Sequence, residues 1–178
     1  TGTAATVQFN GVVGGTYALD VIQITGTSAA LDLNAAILNG ASAAGAASLS
    51  VSGASNLGAD VTTSGTQTYT GAVTISGTGT RTLTGTTVTN SSTLNGGAIA
   101  LTITGNAVVN GAITSVSTLS VSGTSSLAAD VTTTGTQTYT GAVTLSNDVT
   151  LTTTNSNVTF NDTVNSADST ARNLTLAL

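Results

Sequence analysis

The chain has 178 residues, of which only 5% are charged, against about 25% in an ordinary soluble domain. It contains no Lys, Glu, His, Pro, Cys, Met or Trp, and its net charge is −5. The absence of Lys removes the basic footprint that nucleic acid or an anionic membrane surface would need. The absence of Cys removes disulfides and thiolate metal sites, and no run approaches the ~18 apolar residues of a membrane helix. The apolar fraction is 39%. β-Branched Thr and Val stand where helix formers would, which predicts strands rather than helix or disorder.

The opening TGTAATVQFN lacks Met, a basic n-region and an apolar h-region, so it reads as a processed or internal segment. VQFNGVVGG at 7–15 and ALDVIQI at 18–24 come next, then the first apolar-polar-apolar strand core, LDL at 31. AILNGA at 36–41 precedes LSVSGASNLGADVTTSGTQTYTGAVTIS at 49–76. RTL at 81 and LTI at 101 are two further strand cores, followed by AVVNGA at 107–112. The long segment then returns at 119–146, identical at 23 of 28 positions at an offset of 70. AILNGA and AVVNGA match at an offset of 71, which reads as one residue gained or lost in a turn. VTFNDTVNS at 158–166 and ARNLTLA at 171–177 then echo the opening.

A shorter period lies beneath. Strand cores recur at 31, 49, 67, 81, 101, 119, 137, 158 and 174, in steps averaging just under 18. Alternation such as Leu49-Ser50-Val51 marks half-buried strands. Gly53, Gly71, Gly85, Gly105, Gly123 and Gly141 follow such cores, where φ > 0 would permit sharp corners. A strand, a corner and another strand every 18 or so residues predict one coil of a β-solenoid. The expected fold is therefore an all-β, parallel β-solenoid over 1–178, with coils of about 18 residues grouped in fours to make the 70-residue repeat. Nine or ten coils about 4.8 Å apart would form a rod about 45 Å long. The competing architecture is an antiparallel sandwich. Against it, Asn39-Gly40, Asn95-Gly96 and Asn110-Gly111 fall at corners of the longer period, not between matched hairpin strands.

Residues that could carry chemistry are few. With no His or Cys there is no common nucleophile–base pair, and with no Glu no carboxylate pair is evident. Asp60 and Asp130 occupy equivalent repeat positions and read as turn caps about four coils apart. Asp148, Asp162 and Asp168 are close in sequence but lack the oxygen-rich pattern of a Ca²⁺ loop. Gly14-Gly15 and the run at 77–80 have no Lys or helix after them to cradle phosphate. Tyr17, Tyr69 and Tyr139 are too dispersed for a sugar-stacking platform; the latter two read as corner or core fillers. Asn90, Asn157, Asn161 and Asn173 lie in N-x-[ST] sequons. Thr-x-Thr runs abound, at 66–68, 80–82, 102–104 and 136–138. They do not recur at one fixed phase in every coil, so they read as plain polar β-formers rather than a water-ordering face.

TQTYTGAVTLSNDVTL, VTFNDTVNS and VQFNGVVGG resemble the repeats of bacterial exported adhesins of the filamentous haemagglutinin-like and autotransporter types. The resemblance implies export, a right-handed parallel β-helix shaft, and a role in adhesion, biofilm matrix or filament formation. It brings over no functional residue. The expectation is a structural, extracellular cell-surface filament or matrix protein: no enzyme, no catalytic residue, no cofactor and no metal. Its expected partners are further copies stacked end to end, or the continuing chain, with a surface glycan or neighbouring cell as ligand, and with no nucleic acid and no membrane span. The alternatives are a ligand-binding adhesin face for glycan, an ice-binding β-solenoid and, last, a β-helical polysaccharide lyase or hydrolase.

Overall fold

The computed structural model describes residues 5–26, 28–38 and 46–178. Every pairing between strands is parallel, and each inner strand pairs with its equivalents in the coils above and below. The result is a β-solenoid of about 8 turns with about 20 residues per turn. At about 4.8 Å per coil the rod is nearer 40 Å than 45 Å long. The expected coil of 18 holds only for its most regular part: Leu49 to Gln67, and Leu101 to Leu119 to Gln137.

Each coil is a triangle. Face 1 is a nine-stranded sheet running from Thr6–Phe9, Ala30–Leu33 and Ser55–Leu57 through to Val149–Thr152 and Leu174–Ala177. Face 2 carries the inward column Val61, Leu83, Ile103, Val121, Tyr139 and Phe160. Face 3 carries Ile22, Leu49, Gln67, Val88, Ala107, Ser125, Val143 and Val164. The strands Thr80–Asn90 and Ala100–Val109 run through the corner between faces 2 and 3, joining them into one 12-stranded sheet. Alternation does the rest. In Leu49-Ser50-Val51 the two apolar side chains are buried and Ser50 faces out, and the pattern repeats coil after coil. Each full Leu, Ile or Val burial contributes about 1.5–3 kcal/mol, which a single coil could not collect alone.

The long repeat has a different phase from the one expected. Leu49 lies on face 3 and Leu119 on face 2. Along the paired registers the chain crosses eleven faces between them, not twelve, so 70 residues make three and two-thirds coils. The series of strand cores slips between faces for the same reason. LDL at 31 is on face 1, LSV at 49 and QTY at 67 on face 3, the cores from 81 to 158 on face 2, and LTL at 174 on face 1 again. The end-to-end echo fits the same count. Val7 on face 1 and Val158 on face 2 are twenty-two faces apart, two repeats. The similar strand Thr87–Asn90 on face 3 lies midway between them.

The match of AILNGA to AVVNGA is also corrected. Ile37 is fully buried, whereas Val108 faces outward between buried Ala107 and Val109. The structural equivalent of Ile37 is Ile113. Ile37 N–H donates to Asp60 O and Ile113 N–H to Asp130 O, at 3.1 and 3.0 Å. The turn Asn39-Gly40 lies outside the described residues.

Of the six corner glycines, only Gly105 has positive φ. The reason for the others is close approach. Gly65, Gly85, Gly105, Gly123 and Gly141 stack at the corner between faces 2 and 3. A Cβ on Gly123 or Gly141 would lie 2.6 Å from the carbonyl oxygen of the glycine beneath it. Backbone has to pack on backbone there, so no side chain fits.

Candidate functional site

An open groove on face 1 crosses four coils. Ala30, Ala54 and Ala72 keep it shallow, and Asp32, Asn56 and Thr74 run beside them. Asp32 is the only carboxylate of the groove. Its Oδ1 accepts from Asn56 Nδ2 of the coil above at 2.8 Å, and its Oδ2 from Gln8 Nε2 of the coil below at 2.7 Å. Asn34 adds a further bond at 3.2 Å and reaches Asn10 at 3.0 Å. These hydrogen bonds, Asn56 first, hold the Asp32 carboxyl below its ordinary value. The lone pairs that could bind a ligand are thus already engaged across three coils. The cluster works as a staple.

Asp60, Asp130 and Asp148 also bond across coils, at the corners. Asp60 accepts from Thr82 N–H at 2.9 Å, and Asp130 from Thr150 N–H at 2.7 Å. Both cap a strand of the next coil, but one sits before face 2 and the other before face 1. Asp148 accepts from Asn173 N–H and Nδ2 at 2.9 and 2.8 Å, which lowers its pKa. Asp162 bonds its neighbour Thr163 N–H. Asp168 bonds Thr170 N–H, which leads the causes lowering its pKa, and lies 3.5 Å from Arg172. Among the described residues no three acidic side chains converge as metal ligands would.

Two buried polar arrangements were not legible from local sequence. Arg81 occupies an inward slot and is only 6% exposed. Its guanidinium meets Asp60 at 2.9 Å and donates to Gly58 O and Ser76 O at 2.7 and 3.0 Å. Gln67 is fully buried. Its Nε2 donates to Val61 O, Thr63 Oγ1 and Thr84 O, and its Oε1 accepts from Tyr69 Oη at 3.0 Å. Thr133, Gln137 and Tyr139 repeat the arrangement, with Thr152 O in place of Thr84 O. The recurring T-x-x-x-Q-x-Y spacing was the available signal. Burial raises the pKa of both phenols. Tyr139 stacks on Phe160 of the next coil with ring centroids 5.4 Å apart. Tyr17, by contrast, is 84% exposed.

The sequons divide. Asn90 is buried, with its Nδ2 donating to Gly111 O at 2.9 Å, so the folded chain hides it from a glycosyltransferase. Asn173 is exposed but its amide is held by Asp148. Asn157 and Asn161 are exposed. Gly14 and residues 77–79 lie in bends, with Gly14, Gly77 and Gly79 at positive φ, and Thr80 opens the strand Thr80–Asn90.

The Thr-x-Thr runs behave differently from their reading along the chain. Loops of unequal length bring three of the four runs, at 80–82, 102–104 and 136–138, onto face 2, while the run at 66–68 lies on face 3. Thr82, Thr102, Ser120, Thr138 and Thr159 form one outward column on face 2. No helix of the described residues is long and apolar enough to cross a membrane. Compared with protein-family models, curated proteins and solved structures, the chain matches none.

Proposed function

We propose that the chain is a structural shaft: part of an exported filament, adhesin stalk or matrix fibre on the cell surface, built by stacking coils and carrying no catalytic site. The observation that carries this reading is where the apolar surface lies. The exposed large hydrophobic residues are Val7, Val12, Tyr17, Leu19, Val21 and Leu38 at one end, and Leu176 and Leu178 at the other. The coils between are clad in small polar side chains. The outermost strands, Thr6–Phe9 and Leu174–Ala177, each pair on one side only among the described residues. A row of free backbone groups beside exposed Leu and Val is a template for another strand. The occupant is a second copy of the coil stack or the continuing chain. The eleven-face repeat also supports a scaffold role: successive copies preserve the interior while moving to different faces, so repetition by itself builds no binding patch. The adhesin-like repeats, and the scarcity of Lys and Arg that leaves few sites for trypsin-like proteases, are in keeping with an exterior location, where a surface glycan or a neighbouring cell would be the outer partner.

Sedimentation and negative-stain imaging of the 178-residue chain test this. End-to-end rods are expected to lengthen with concentration, and Leu176→Lys with Val7→Lys should shorten them. A monodisperse monomer at all concentrations would sink the self-stacking form. If fusing further coils to either end then left stability unchanged, the shaft reading would go with it.

A further inference from the structure

Face 2 carries a regular, uncharged hydroxyl lattice. Its outward positions at 80–84, 100–104, 118–122 and 136–140 stack in register over four successive coils. Of these twelve positions eleven are Thr or Ser, the exception being Ala100. Face 3 of the same coils, at 87–91, 106–110, 124–128 and 142–146, has hydroxyl residues at seven of twelve, with Asn106, Val108 and Asn110 breaking the pattern. The lattice is no by-product of the long repeat. The eleven-face phase sends copies of one segment to different faces, so the four rows on face 2 are not repeats of one another.

The spacing is fixed by the backbone in two directions. Alternate residues of a strand are about 6.6 Å apart and adjacent coils about 4.8 Å. Each Thr has a stiff χ1 and presents a methyl and a hydroxyl side by side. Thr82, Thr102, Ser120 and Thr138 are half-buried by their neighbours, which restricts them further. Among the described residues, the hydroxyls of these four, and of Thr104 and Thr140, take no protein partner, whereas Ser122 accepts from Gly105 N–H. A flexible solute samples many spacings and gains nothing from such regularity. A flat crystalline polysaccharide would want aromatic platforms, but Tyr69 and Tyr139 are buried and exposed Tyr17 is far from these rows. A partner that is itself a lattice of hydrogen-bonding oxygens fits: methyl groups order the water between them and hydroxyls anchor it.

We propose that face 2, between residues 80 and 140, binds the surface of ice. The test is ice-affinity partitioning and recrystallisation inhibition by the whole chain, with Thr102→Lys/Thr138→Lys on face 2 and Ser126→Lys/Thr144→Lys on face 3. All four positions point outward, and thermal unfolding checks that each variant folds. The chain should enter the ice fraction and slow grain growth. The face 2 variant should lose about tenfold or more of this, as central contacts of an interface do, and the face 3 variant should retain it. No ice activity in the parent chain, or equal loss in both variants, overturns the proposal. A face 2 variant that changes only the sedimenting mass would instead assign the lattice to lateral packing of copies. Neither result depends on end-to-end stacking, which the substitutions at Leu176 and Val7 test separately.

Discussion

Residues 49–76 and 119–146 are almost the same sequence, folded at different corners of one triangle. The first copy starts on face 3, the second on face 2. Their interiors nonetheless agree to the hydrogen bond: Gln67 and Gln137 hold the same three kinds of partner, and both tyrosines reach their glutamine at 3.0 Å. The fold therefore reads inside against outside and is indifferent to which face a strand occupies. The copies part company just beyond. Arg81, with Asp60, fills the slot that Val149 fills in the second copy, where Asn147 Nδ2 supplies the bond to Ala128 O that Arg81 supplies to Gly58 O. The coil above also differs: Asn90 lies over Tyr69, and Phe160 over Tyr139.

Truncating the tyrosines should have the largest effect. Tyr69→Ala and Tyr139→Ala each remove a fully buried ring and should cost about 3–5 kcal/mol in denaturant unfolding. Tyr139→Ala should be the worse by roughly 0.5–1.5 kcal/mol, because it also loses the stack on Phe160. Equal costs would mean that the stack adds nothing beyond burial.

The aspartates give a cleaner contrast. Asp60→Asn leaves the buried guanidinium of Arg81 without its counter-charge. It should cost about 2 kcal/mol, less than for a fully buried pair because the Asp60 side chain is 46% exposed. Asp130→Asn keeps an oxygen for Thr150 N–H and has no Arg to abandon, so it should change stability by no more than about 0.5 kcal/mol. If both substitutions cost the same, capping rather than charge pairing is what the aspartates supply.

Acid and base should act unequally. Asp32, Asp148 and Asp168 have pKa values lowered by hydrogen bonds. A depressed folded pKa adds stability above the unfolded value of about 3.9, and that is lost as pH falls through the folded value. These carboxylates are exposed, so the acid limb should be shallow. The buried tyrosines have raised pKa values. Their contribution is complete below the unfolded value of about 10 and disappears as pH climbs from there toward the folded value. Thermal melts should be flat from about pH 5 to 9 and fall more steeply on the alkaline side. Tyr69→Phe or Tyr139→Phe should soften the alkaline fall; a limb unchanged in both would place its origin elsewhere.

Much of the architecture was legible in the residues. Alternation such as Leu101-Thr102-Ile103, with no helix-forming residues, dictates strands, and a period near 18 dictates stacked coils. The phase was not legible. A step of 18 residues is a whole coil from Leu49 to Gln67 but only two faces from Leu31 to Leu49, because the loop between is longer. Only strand pairing tells these apart. The same ambiguity hid the equivalence of Ile37 with Ile113 and the stacking of the threonines. Arg81 was hidden for another reason. The R-T-L pattern marks an inward slot, but what makes a cation tolerable there is Asp60, twenty-one residues earlier and one coil below.

The eleven-face repeat bears on how such a protein can change length. Eleven and three share no factor, so adding one repeat turns everything beyond it by a third of a revolution. Because the interior accepts a strand equally on any side, that turn creates no misfit. Duplication or loss in the gene is then limited to whole sides of the triangle, about six residues each, and not to whole revolutions. A lineage can lengthen or shorten the rod in fine steps, and each step re-aims whatever stands on its far end.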